Sequence, residues 1–328
     1  MKTKKLKIGV GLWCVSFASD RFVGGGYRPM QSLQDQIKMV SRIEGAESFD
    51  LHTSDFAGVK AKDVGKMADD LGLKINAVNP NIFGDPDFKY GAFTNTDRKL
   101  RQKAVDLVKS SLDTAMELKA NVSSLWPGQD GYDYYFQNDY YQQCDSTVSA
   151  LREICDYAPG FKICYEYQPR EPRMFSLVEN AGKALSLMHD VDRKNIGIVI
   201  DYGHALFAHE NAAASLCFVD RAGKLFNVHF NDAYGNWDDD LMAGTANVWS
   251  NLEFFWYLKK TSYDGYVTLD MFPYREDPFE ACSLAVRMIK TFEQIVEAFD
   301  DSLLQKLQNK NDAAAIFEYL RKKVLLRE

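Results

Sequence analysis

The sequence predicts an α/β protein, a closed (β/α)8 TIM barrel with a short helical C-terminal tail. Three observations carry that reading. Eight short apolar runs alternate with eight longer amphipathic segments across roughly 299 residues, the arrangement of such a barrel. The short runs are apolar on consecutive positions, as expected of parallel strands covered on both faces. Polar side chains close several of them, at the end where such barrels carry their chemistry. A doubly wound sheet uses the same alternation and is the other fold open at this point.

In order, Lys7–Trp13 reads as the first strand and Leu33–Ile43 as the first helix. Strand Glu47–Leu51 precedes helix Ala61–Asp70, and strand Lys74–Val78 runs into a long polar loop before helix Arg98–Leu118. Strand Val122–Trp126 pairs with helix Tyr140–Tyr157, and Lys162–Tyr167 with Leu177–His189. Strand Asn195–Asp201 leads to helix Ala212–Ala222, and Lys224–Phe230 to Leu252–Lys260. Gly265–Asp270 and Pro278–Phe299 complete the eighth unit. We assign 1–299 to the barrel and 300–328 to a C-terminal helical extension, whose apolar stripe suits packing on the barrel or on a second subunit.

The chain has 328 residues, 46% of them apolar, enough for one large core. A net charge of −7 does not suit a nucleic-acid binder, which would carry a basic stripe. No apolar run reaches membrane length, and the start lacks a signal-peptide pattern, so a cytoplasmic protein is expected. None of the six cysteines forms a CxxC pair; Cys14, Cys164 and Cys282 lie in apolar runs and read as buried thiols. Gly24-Gly25-Gly26 neither ends a strand nor opens a helix, so no nucleotide cofactor is expected.

The strand ends read His52, Trp126, Glu166, Asp201, His229 and Asp270. His204 follows in the loop after Asp201, and Asp238 and Asp240 in the loop after His229. Alone, an aspartate closing a strand is more often a helix cap than a ligand, and DDD is more often a solvated loop. The conjunction is different. Four of the five histidines (His52, His204, His209 and His229) fall near strand ends or just beyond. Acids closing neighbouring strands crowd like charges together, which requires protonation or a cation. Oxygen ligands with one imidazole suit Mg²⁺, Mn²⁺ or Co²⁺ better than a structural zinc. The spacing supports two ions. Glu166, Asp201, His229 and Asp270 surround the first, and His204 with Asp238 and Asp240 holds the second, with Glu166 or Asp201 as the bridge. Asp239 is expected to be solvated.

These segments resemble the xylose isomerase-like TIM barrels, particularly the xylose isomerases and the related L-rhamnose isomerases, over Val10 to about Phe292. The resemblance rests on GLWCV with DRFVGGGYRP, DLHTSD, NPNIFGDPDFKYGAFTNTDR, YEYQPREPR, DYGHA and HFND…DDDL. It implies that Glu166, Asp201, His229 and Asp270 hold a structural, substrate-binding ion. It also implies that Asp201, His204, Asp238 and Asp240 hold a mobile second ion. Histidine at 229 and aspartate at 201 are similar to the rhamnose branch. By the same resemblance His52 and Asp55 form the ring-opening pair, and Trp13, Phe83 and Trp126 wall the sugar pocket. Phe22 matches an aromatic that reaches into a neighbour's site, implying a homodimer or homotetramer. One departure stands out. Gln168 occupies the position of a substrate-contacting lysine; it can hydrogen-bond the same oxygen but brings no charge.

The resemblance implies aldose–ketose isomerisation of a small monosaccharide by a 1,2-hydride shift, with two divalent ions per subunit. The alternatives are a single-ion ketose 3-epimerase using Glu166 and Asp270 as its acids, an endonuclease IV-like phosphodiesterase disfavoured by charge, and a non-catalytic sugar-binding barrel.

Overall fold

The structure, a computed structural model, describes residues 5–171 and 173–326. Eight parallel strands form a closed barrel, which excludes the doubly wound alternative. They are β1 (Lys7–Gly11), β2 (Ser48–His52), β3 (Lys74–Asn79), β4 (Val122–Leu125), β5 (Lys162–Glu166), β6 (Ile196–Asp201), β7 (Leu225–Phe230) and β8 (Tyr266–Leu269). Each pairs with its neighbours in sequence. β8 closes on β1 with Lys7 opposite Tyr266 and Val10 opposite Leu269. A short antiparallel pair, Gly131–Tyr132 with Phe175–Ser176, ties the loops after β4 and β5 together.

The helices are α1 (Leu33–Ser41), α2 (Ala61–Asp70), α3 (Arg98–Glu117), α4 (Tyr140–Tyr157), α5 (Ala181–Val191), α6 (Tyr202–Phe207), α7 (Ala212–Arg221), α8 (Val248–Leu258) and α9 (Pro278–Glu297). Their buried stripes, such as Val105, Val108 and Leu112 on α3, join strand residues such as Ile8, Val10 and Leu51 in one core. Cys14, Cys164 and Cys282 are buried and unpaired, as their apolar contexts suggested.

Several boundaries move by one to four residues from the sequence reading, and one helix is additional. Leu12–Val15 forms a 3-10 turn rather than extending β1, which turns Trp13 toward the barrel mouth. α5 starts at Ala181 because Asn180 caps it, accepting from Lys183 N at 2.8 Å, so Leu177 and Val178 stay in the loop. α8 begins one turn early, at Val248. α6 was not expected at all. Asp201 closes β6 and also caps this short helix, accepting from His204 N at 2.8 Å.

The barrel interior departs from the usual filling of branched apolar side chains. Asp50, Asn76, Ser124, Asn227 and Thr268 are all buried, and Asn76 Nδ2 donates to Asp50 Oδ1 and Oδ2 at 3.0 and 3.2 Å. Asn227 Nδ2 donates to Ser124 Oγ at 3.2 Å. This polar layer lies directly beneath the strand-end side chains.

The C-terminal residues form α10 (Asp301–Asn309), α11 (Ala313–Leu320) and a wider final turn, Arg321–Leu326. Leu304, Ile316, Tyr319 and Leu320 pack on the barrel core, while Phe317 and Leu325 remain exposed. No helix among the described residues is long and apolar enough to cross a membrane.

Candidate active site

Four neighbouring strands deliver one ligand each. Glu166 closes β5, Asp201 closes β6, His229 is the penultimate residue of β7, and Asp270 directly follows β8. One ligand atom from each lies within 4.8 Å of all the others. His229 Nδ1 stands 3.0 Å from Glu166 Oε1 and 2.9 Å from Asp270 Oδ2. The Trp13 indole donates to Asp270 Oδ1 at 2.5 Å, tying the first loop to the cluster. Asn231 Nδ2 donates to both oxygens of Asp201, at 3.3 and 3.2 Å. Gly203 is required here: a Cβ at that position would lie 2.4 Å from Asn231 Oδ1.

The electrostatics follow from burial and crowding. Burial pushes Asp201 up to about 7, with Asp270, Asp238 and Glu166 adding repulsion and His204 opposing it. Burial, then the charge of Asp238, raises Asp240 well above the usual carboxylate range. Burial would raise Asp270 too, but contact with His229 outweighs it and holds Asp270 low. Burial would lower both histidines. The charge of Glu166 instead holds His229 well above its ordinary value, and Asp201 and Asp238 do the same for His204. The ion-free cluster therefore balances its carboxylates with protons, a load that a divalent cation can replace.

The second set sits on a short helix and a loop. His204, on α6, has Nε2 2.9 Å from Asp238 Oδ2 and Nδ1 3.6 Å from Glu166 Oε1. Asp238 Oδ2 also accepts from Gln168 Nε2 at 2.7 Å. His204 Nδ1 and Asp238 Oδ1 are buried without a hydrogen-bond partner, which buried polar atoms seldom are. Asp240 holds a left-handed backbone, φ 49°. Asp232 braces this loop: it forms a β-bridge with Leu241 and accepts from Ala246 N at 2.9 Å and Asn247 N at 3.1 Å. Asp239 is half-buried rather than solvated, because its carboxylate turns back to accept from Tyr234 N at 2.7 Å.

Both sets, apart from Asp201, line one cavity of about 440 Å³. Trp13, His52, Phe83 and Trp126 form its aromatic side, with ring centroids 5.0 Å apart for Trp13–His52 and 4.7 Å for Phe83–Trp126. Gly128 makes room for Trp126; a Cβ there would lie 2.4 Å from the indole. Asp55 Oδ2 accepts from His52 N at 2.8 Å and lies 4.0 Å from His52 Nδ1. Gln168 is engaged at both ends: Oε1 accepts from Trp126 Nε1, and Nε2 donates to Asp238 and Glu171. Phe22 is 76% exposed and does not line this chain's own cavity, and His209 is exposed outside it.

Sequence reasoning missed Glu171, Asn79, Asn81, Phe272 and Tyr274, all of which line the cavity. Glu171 had a signal, an acid in the same YEYQPREPR segment as Glu166. Burial and the charge of Asp238 raise its carboxyl.

Three carboxylates and an imidazole converging on one point, with orphaned polar atoms beside them, fit a divalent cation. Comparison with known proteins agrees with this architecture. The chain is 30% identical over 206 residues to the xylose isomerase of Thermus thermophilus, covering 61% of this chain and 53% of that protein. It thus spans about half the length of that relative. A D-tagatose 3-epimerase-like protein superposes with a TM-score of 0.70 at 22% identity, over 89% of this chain and 98% of the other. The IOLI protein, solved with a zinc atom bound, superposes with a TM-score of 0.65 at 20% identity, over 89% and 98%. The family model for the xylose isomerase-like TIM barrel matches residues 39–292, which takes in seven of the eight strands and every strand-end ligand. The chain therefore belongs to the xylose isomerase-like TIM barrel family.

Proposed function

We propose that the protein is a metal-dependent aldose–ketose isomerase acting on a small monosaccharide. The observation that carries this reading is that His204, Asp238 and Asp240 line the same cavity as Glu166, His229 and Asp270. That is a donor set for two ions, Mg²⁺, Mn²⁺ or Co²⁺, around one substrate-sized space. Glu166, Asp201, His229 and Asp270 would hold one and His204, Asp238 and Asp240 the other, with Glu166 or Asp201 between them. When bound, such ions supply Lewis-acid stabilisation of charge developing on the sugar oxygens.

The chain's own residues do the rest. Trp13, Phe83 and Trp126 pack against the carbon chain and exclude water. His52, held by Asp55, carries a proton to the ring oxygen as the cyclic sugar opens. In the open aldose, hydrogen moves from C2 to C1 with its bonding pair. O2 loses its proton as it becomes the ketone oxygen, and O1 gains one. Gln168 serves this step by fixing Asp238 through Nε2, while Oε1, which accepts from Trp126, keeps a second lone pair for a sugar hydroxyl. Phe22, exposed on the first loop, is suited to completing a neighbouring subunit's pocket in a homodimer or homotetramer.

A second reading is a single-ion ketose 3-epimerase, in which Glu166 and Asp270 remove and return a proton at C3. It is favoured by the compactness of the four strand-end ligands compared with the loop set. A screen of aldoses and ketoses with Mn²⁺, Mg²⁺ or Co²⁺ in D₂O separates the two. An interconverted aldose and ketose without solvent deuterium supports the isomerase. A ketose carrying deuterium at C3 replaces it with the epimerase.

A further inference from the structure

Asp50 takes no part in the chemistry proposed for the cavity, yet it is wholly buried in the barrel. Burying a carboxylate costs several kcal/mol, and such barrels are usually filled with apolar side chains. The groups around it are donors. Asn76 Nδ2 bonds both its oxygens, Thr268 Oγ1 donates at 3.4 Å, and across the barrel His229 Nε2 stands 3.6 Å from Oδ2. The opposite nitrogen of that ring, Nδ1, faces Glu166 and Asp270.

We propose that Asp50 is a positioning residue. Its carboxylate keeps the His229 proton on Nε2, which leaves the Nδ1 lone pair directed at the cation point between Glu166 and Asp270. The inference rests on the reading of that point as a metal site. A neutral imidazole carries one N–H and one lone pair, so whatever holds the proton at one nitrogen aims the other. A metal-bound histidine normally donates its second nitrogen to a carboxylate, carbonyl or water.

Among the described residues Asn227 competes for the same nitrogen. Asn227 Nδ2 lies 3.3 Å from His229 Nε2 and would favour a bare Nε2 by donating to it. Ser124 Oγ accepts one of the two hydrogens of that amide, which leaves the other facing Nε2. A full negative charge attracts the N–H more strongly than a single neutral amide hydrogen repels it. The 3.6 Å separation exceeds a formed hydrogen bond, so the test reads the proton itself.

Neutron crystallography of the perdeuterated protein loaded with Zn²⁺ should show deuterium on His229 Nε2 and zinc at Nδ1. Zinc at Nε2, or a bare Nε2 facing Asn227, overturns the proposal without any variant. In calorimetric titration, Asp50→Asn should weaken Zn²⁺ binding about 10–100-fold. A variant with a lower ion-free melting temperature but unchanged zinc affinity would show a purely structural role and overturn the proposal. A wild type that takes up no zinc would instead overturn the metal reading beneath it.

Discussion

Glu166, His229 and Asp270 share a cavity with the loop ligands, but the strand-end and loop sets are built differently. Glu166, Asp201, His229 and Asp270 ride on, or one residue beyond, strands locked in the barrel ladder, and their ligand atoms already converge within 4.8 Å. His204 sits on the six-residue α6, and Asp238 and Asp240 on a loop braced by Asp232. Asp238 is meanwhile hydrogen-bonded to Gln168 and His204. Ladder hydrogen bonds preorganise the first set. In the second, side-chain hydrogen bonds, which can exchange, hold the Asp238 carboxylate and the His204 ring. A rigid site suits an ion that stays, and an adaptable one suits an ion or proton that moves during turnover.

Four experiments break or sharpen that contrast. The largest effect is expected from the rigid set. Glu166→Gln should remove the bound ion, and losing several kcal/mol of charge stabilisation lowers kcat/KM by about 10³-fold or more; metal analysis of the purified variant checks the first half. Next, Asp238→Asn combined with Asp240→Asn should cut turnover by about 10²-fold or more while one ion per subunit remains bound. Full activity in that double variant would sink the two-ion mechanism. Gln168→Leu frees Asp238 from one of its restraints, and steady-state kinetics should show about a tenfold loss, the size of one buried hydrogen bond to a charge. Ion occupancy at the strand-end set should not change.

The smallest effect is on stability. Asp201 holds its proton up to about pH 7 when folded, above the ordinary aspartate value. The folded state thus binds protons more tightly than the unfolded chain, and ion-free stability falls as pH rises from about 4 toward 7. His204 and His229 are raised as well, so their contribution is present below about pH 6.5 and is lost as pH climbs through their folded values. The ion-free melting temperature should drop by a few degrees between pH 6 and pH 9. Saturating Mn²⁺ should reverse that trend, because the cation replaces the protons. An ion-free protein that gains stability over this range would contradict the assigned charge balance.

Much of the strand-end set was legible because an acid or histidine ending an apolar run is conspicuous: IVID, FNVHF and VTLD mark Asp201, His229 and Asp270. Glu171 was harder, since a charged residue in the polar loop YEYQPREPR looks solvated until burial is known. Gln168 was read as facing substrate, and the hydrogen bonds now around it come from Trp126, Glu171 and Asp238, the first and last of them far along the chain. Asp50 lies inside the strand read from SFDLH, and nothing in that run points to a histidine 179 positions later.

The sequence by itself determined the alternation of strands and helices, and hence which side chains end each strand. Hydrophobic period and turn chemistry are local properties, readable a few residues at a time. Only the tertiary structure decided that β8 closes on β1, that Asp50 faces His229 across the barrel, and that Asp238 is claimed by Gln168 and His204. Those pairings depend on barrel closure and loop path, which bring together groups tens to hundreds of residues apart and remove the water that would otherwise separate them.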